Sequence, residues 1–271
     1  MSFSLAIYHA RRVESRRRSL RDMYASLGDT SPPTRIVDEM RPEGATWDIW
    51  QHELHPRVWR WALEQDTTHH LFMTDDLHIA PRFWAILEAM CSAKPEAILG
   101  LLSNHPAAVR LAERGARWYR TNAWVVGPAY VVPHEHLSGF LAWYEPFMAA
   151  MAPDERRHYG DDSALNYWIS SYGPRESWHP LPTIIEHRGD LESTWMSGDC
   201  FSRERVSWRA HRECPLREDY RGLWTTHERR YDLEAMTRAD YWDRPGPMLR
   251  VAGCTTEDAG MVRDEEIGVS R

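Results

Sequence analysis

The sequence predicts an α/β fold on an open sheet, with helices packed against the strands. Three observations carry this. Phe3 to Tyr8 and Leu71 to Thr74 are short apolar runs of strand length. Segments of helical periodicity, 10 or more residues long, stand between such runs. The runs end on acids, Asp38 and the pair Asp75-Asp76, as strands do when their carboxyl ends line a crevice. At 271 residues the chain is long enough for one large α/β domain, or a domain with an appendage.

Composition narrows the class. With 42% hydrophobic and 27% charged residues, the chain is globular and not disordered. Its four cysteines have no CxxC spacing, which indicates neither a zinc site nor a disulfide scaffold. No apolar signal core or membrane-length run occurs, so a cytoplasmic protein is the default expectation. A net charge of −7 argues against a general nucleic-acid coat. Lys94 is the only lysine among 33 basic residues, so charge contacts to phosphate would come from Arg, whose fork binds in two places.

The elements follow in order. After the first strand, Val13, Leu20, Met23, Tyr24 and Leu27 share a helical face over 11–27, which Gly28 stops. Five of the eight residues from Arg11 to Arg18 are Arg, either a solvated basic face or a strand-end contact to a nucleotide through Arg11 or Arg12. Thr34 to Val37 is a second short strand ending on Asp38. Strand, helix, strand and acid make a nucleotide-binding half-fold, and the absence of GxGxxG argues against a dinucleotide site.

A Trp-rich helix over 54–64 leads into the central strand, which stops at Asp75-Asp76. Adjacent carboxylates repel each other, and a hard divalent ion that also holds phosphate oxygens relieves the repulsion. The same pair also suits a solvated turn before a helix with Pro81 in its first turn. Further strands are expected over 97–102 and 123–126, and a helix over 134–143. Gly160-Asp161-Asp162 opens another helix, where the acids either cap it or include a general base kept ionised by the helix end. A Pro-broken strand over 178–185 then ends at Glu186-His187-Arg188-Gly189-Asp190.

The order Asp38, Thr74-Asp75-Asp76, Gly127-Pro128-Ala129-Tyr130, Gly160-Asp161-Asp162, Glu186-His187-Arg188-Gly189-Asp190 resembles the GT-A-fold glycosyltransferases. It is nearest to small bacterial and phage enzymes of the lipopolysaccharide-type sugar transferases. The resemblance spans residues 3–195 and implies a catalytic domain over 1–195, a mostly parallel sheet, and a helical or irregular appendage over 196–271. Thr74 departs from the family, since many relatives carry an acid at the first place of the DxD-type motif. By this resemblance Asp38 holds the nucleotide base, with Arg11 or Arg12 beside it. Asp75 contacts ribose or sugar, Tyr130 belongs to the same nucleotide-sugar site, and Asp76 and His187 bind Mn²⁺ or Mg²⁺. Asp162, or else Asp161, deprotonates the acceptor hydroxyl.

The implied activity is transfer of a sugar from a nucleoside-diphosphate donor, a UDP-sugar for preference, with inversion at the anomeric carbon. The acceptor is a glycan, a protein side chain, or a hydroxymethylated base in phage DNA. Eight Arg interleaved with aromatics between Arg203 and Arg230 keep the DNA base in view. A silent sugar-nucleotide-binding module is the alternative outside the enzyme class.

Overall fold

Alternate residues of the central strands enter two different cores, which is why these stretches read as unbroken apolar runs. In the computed structural model, β1 (Phe3–His9) sends Leu5 and Ile7 to one face and Ala6 and Tyr8 to the other. Likewise β3 (His69–Thr74) divides Leu71 and Met73 from Phe72, and β7 (Ala129–Pro133) divides Val131 from Tyr130 and Val132. The structure describes residues 1–28, 32–38, 47–103, 108, 111–112, 116–121, 128–150, 161–174, 176–188, 191 and 225–226.

Helices cover both faces. On the first lie α1 (Glu14–Leu27) and α3 (Phe83–Ala93), which contribute Met23, Leu27, Phe83, Ile86, Leu87 and Met90. On the second lie α2 (Trp47–Leu63), α4 (His134–Ala150) and α5 (Asp161–Ser171), whose Val58, Trp59, Phe140, Tyr144, Leu165 and Trp168 build an aromatic core. Edge-to-face packing of Trp59 on Phe140 and Tyr144, at centroid distances of 4.9 and 5.0 Å, accounts for part of the tryptophan load.

The remaining strands are β2 (Thr34–Asp38), β4 (Leu77–Ile79), β5 (Ile98–Gly100), β6 (Trp118–Thr121), β8 (Ser177–Pro180), β9 (Ile185–His187) and β10 (Thr225–Thr226). The main sheet has the order β10-β6-β8-β5-β7-β3-β1-β2, and β4 pairs with β9 in a separate antiparallel ribbon. Pairings of β1 with β2 and β3, β5 with β8, and β10 with β6 are parallel. β7 and the β6–β8 pair introduce antiparallel contacts. The expected α/β class and mostly parallel, helix-flanked sheet are thus observed. Among the described residues no helix is long and apolar enough to cross a membrane.

Two local expectations change. Pro81 does not begin a helix: the chain after Asp76 first forms β4, and α3 starts at Phe83 behind Arg82, whose φ is 58°. β4 exists because β9 arrives to pair with it, an event far away in sequence. The single strand expected over 178–185 is instead two, β8 ending at Pro180 in the main sheet and β9 starting at Ile185 in the ribbon. The strand expected over 123–126 lies outside the described residues, as does the segment 203–230 apart from β10.

The topology locates a crevice. From β1 the chain passes through α1 to β2 on one side, then through α2 to β3 on the other. α1 and α2 lie on opposite faces, so β1 and β3 flank a reversal of strand order, and their carboxyl ends open between the helices.

Candidate functional site at the ends of β1 and β3

The acid pair sits at that reversal. Asp75 follows the last residue of β3 and is wholly buried, at 0% exposure, with Asp76 at 5%. Buried carboxylates need partners, and here each has them. Asp75 Oδ2 accepts from the Ala10 N–H at 3.1 Å and lies 2.5 Å from His9 Nδ1. Asp75 Oδ1 takes the Nε and Nη2 side of the Arg16 guanidinium. The same guanidinium turns Nη1 to Asp76 Oδ2 at 2.6 Å. Arg16 is itself only 2% exposed, so one buried fork bridges two buried acids.

The far side of Asp76 is built by the ribbon. Leu77 pairs with His187 and Ile79 with Ile185, and the Arg188 N–H donates to the Asp76 carbonyl at 2.8 Å. This register sets His187 Nε2 3.0 Å from Asp76 Oδ2. The Thr74 hydroxyl donates to Asp76 Oδ1 at 2.5 Å. Burial pushes the Asp76 carboxyl up, but the His187 hydrogen bond, the Arg16 and His187 charges and the Thr74 hydroxyl outweigh it and hold it down at about 2. Asp76 is therefore an anion throughout the physiological range.

One strand further out, Arg11 Nε meets Asp38 Oδ2 at 2.7 Å, and the two side chains are 66% and 30% exposed. Arg11, Asp38, Asp75, Asp76 and His187 thus lie along the carboxyl ends of β2, β1 and β3 and the ribbon beside them. Arg12 is exposed at the start of the same loop. Tyr130 is not gathered here. Its ring stacks on Phe72 in the aromatic core, 1% exposed, and its hydroxyl accepts from the Trp59 indole N–H at 3.4 Å. Asp162 stands in the first turn of α5, half-buried, and the side chain of Asp161 lies outside the described residues.

Arg16 and His9 are site residues that the motifs do not name. Arg16 was legible in principle: the buried stripe of α1 is Arg16, Ser19, Met23 and Leu27, so the apolar face counted backward by helical steps lands on it. His9 closes β1 and has no comparable sequence signal.

A divalent ion would find two side-chain donors meeting at this site, Asp76 Oδ2 and His187 Nε2. Among the described residues no group of three or more His, Cys, Asp or Glu side chains forms a metal cage. Mg²⁺ and Mn²⁺ commonly bind through one or two protein ligands, with phosphate oxygens and water completing the shell. Two donors do not make a closed structural site, and an ion at Asp76 would take the place of the His187 or Arg16 contact on Oδ2.

The fold and site together define a mixed α/β protein with a buried acid–arginine–acid cluster at a strand-order reversal. No protein-family model matches the chain, and no curated protein does. Among solved structures it is similar to A197 from STIV, with a TM-score of 0.39 and 11% identity over 73% of this chain and 100% of that one. It is also similar to a glycosyltransferase involved in the glycosylation of the major capsid of PBCV-1, with a TM-score of 0.28 and 11% identity over 54% of this chain and 68% of that one. Likenesses this slight assign no chemistry to the site.

Proposed function

We propose that the chain is a GT-A-type glycosyltransferase that moves a sugar from a UDP-sugar to an acceptor hydroxyl, with a divalent ion at the donor diphosphate. The observation that carries this reading is the ionised Asp76, met by His187 at the carboxyl end of β3, with the Arg11–Asp38 pair, exposed at Arg11 and half-buried at Asp38, beside it. The arrangement suits a ligand with a polar base at one end and a diphosphate at the other.

In this reading Asp38 accepts a hydrogen bond from the base edge and Arg11 or Arg12 lies against base or phosphate. Asp76 and His187 hold Mn²⁺ or Mg²⁺, which would neutralise charge on the leaving diphosphate. Arg16 keeps the acid pair fixed in place before any ligand arrives. Asp162, in the first turn of α5, takes the proton of the acceptor hydroxyl. A base opposite the leaving group gives in-line displacement and inversion.

Calorimetry with UDP tests the proposal. Wild type should bind UDP more tightly with Mn²⁺ than without it, and Asp76→Ala should lose that enhancement. Equal affinity with and without metal would remove the metal role, and no UDP binding at all would overturn the reading. Asp162→Asn should keep the UDP affinity while sugar transfer falls by roughly 10²–10⁴-fold. Unchanged transfer would mean that the base lies elsewhere, and wild type that binds UDP-sugars without turning them over would be a binding module.

A further inference from the structure

Asp75 cannot touch a ligand from where it lies. Its carboxylate is fully buried, with both oxygens engaged by Ala10, His9 and Arg16. What it presents outward is His9. Carboxylate oxygens only accept, so the proton of the 2.5 Å contact belongs to His9 Nδ1, and Nε2 is the ring nitrogen left for another partner. The His9 side chain is 10% exposed where Asp75 is at 0%, so the ring is the open end of the pair.

Strand order says what lies over that ring. β2, β1 and β3 are consecutive neighbours in the sheet, and His9 is the register partner of Asp38. Tyr8, just before it, is the partner of Thr74. With strands about 4.8 Å apart, the ends of β2 and β3 are separated by roughly 10 Å, and His9 lies between them. A nucleotide with its base at Asp38 and its diphosphate at Asp76 must lay its ribose across the end of β1.

We infer that His9 is the ribose contact of the donor site: Nε2 accepts a hydrogen bond from a ribose hydroxyl, and Asp75 acts on the donor only through the ring it holds. The inference rests on the nucleotide-sugar reading and replaces the direct Asp75 contact that the motif implies. It makes the site selective for a ribonucleotide, because a deoxy analogue leaves a desolvated nitrogen unpaired.

The test is calorimetry of UDP, 2′-deoxy-UDP and 3′-deoxy-UDP, with Mn²⁺ present, on wild type and His9→Asn. The asparagine amide can still donate to Asp75 but ends short of the Nε2 position, so it separates support of Asp75 from contact with the ligand. Wild type should bind UDP about tenfold more tightly than one of the deoxy analogues, and His9→Asn should bind both alike. Equal binding of all three by wild type would overturn the inference and leave the transferase reading standing. Discrimination retained in His9→Asn would overturn it as well. Absence of any UDP binding by wild type would remove the reading and the inference together. Should His9→Asn fail to fold, ¹⁵N NMR of wild type decides: the Nε2 resonance should move on adding UDP and stay in place with the discriminated analogue.

Discussion

A guanidinium at 2% exposure is sustained only by what surrounds it, and Arg16 is surrounded by two carboxylates. Removing one partner of such a buried set leaves uncompensated charge, which costs far more than the pair itself contributes. Arg16→Met should therefore lose about 3–5 kcal/mol in urea unfolding. Arg17→Met is the control: Arg17 pairs with Glu14 on the exposed face of the same helix, and its loss should stay within about 1 kcal/mol. Similar losses for both would contradict the buried network. The basic run Arg11 to Arg18 reads in the sequence as a solvated face or as a strand-end nucleotide contact through Arg11 or Arg12, yet its members divide three ways. Arg16 is buried on the acids, Arg11 reaches Asp38, and Arg17 sits in solvent. Charge alone does not separate them; the position of each relative to the Met23 and Leu27 stripe does. The acids and His187 were legible because they end strands, whereas their dependence on Arg16 and His9 is a matter of three-dimensional pairing.

At the scale of elements, the strands buried on both faces were read from their apolar runs, and the helices from their periodicity. What escaped was whatever needs a distant partner. Leu77-His78-Ile79 is too short to declare itself, and becomes a strand only through Ile185 to His187. A second case of distant fit is Gly100, at the end of β5. An added Cβ there would lie 2.2 Å from Cε1 of His179, a fully buried ring near the end of β8. His179 Nδ1 in turn lies 3.1 Å from the Leu102 carbonyl, which restrains the ring. Gly100→Ala should cost about 1–3 kcal/mol, the usual penalty of overpacking. His179→Ala in the same chain opens space and should return part of it. A Gly100→Ala single variant as stable as wild type by urea unfolding would show that the ring can step aside.

The whole molecule carries a built-in sensitivity to acid. Burial pushes His55 down to about 3 and, with the neighbouring His134 and His69, His70 down to about 4. Both are held neutral in the fold, between the Tyr8 hydroxyl in one case and Ser4 and His134 in the other. The unfolded chain takes up these protons first, near the ordinary histidine value. Their stabilising effect is therefore complete above about pH 6.5 and declines as pH falls toward 4. Asp76, also depressed, keeps its contribution above about pH 4 and loses it as pH falls through about 2. The urea midpoint should fall continuously from pH 7 to pH 4.5, with a shallower slope in His55→Asn and His70→Asn. A midpoint independent of pH in that range would refute the buried-neutral assignment.

The β4–β9 ribbon also has a consequence for timing. Translation delivers His9, Arg16 and the two aspartates early, whereas His187 comes near the far end of the described domain. A nascent chain can therefore assemble β1, β2 and β3 and settle the buried charges while half of the grip on Asp76 is still unmade. A ligand that needed both Asp76 and His187 would therefore favour chains that have closed the ribbon over partly made ones.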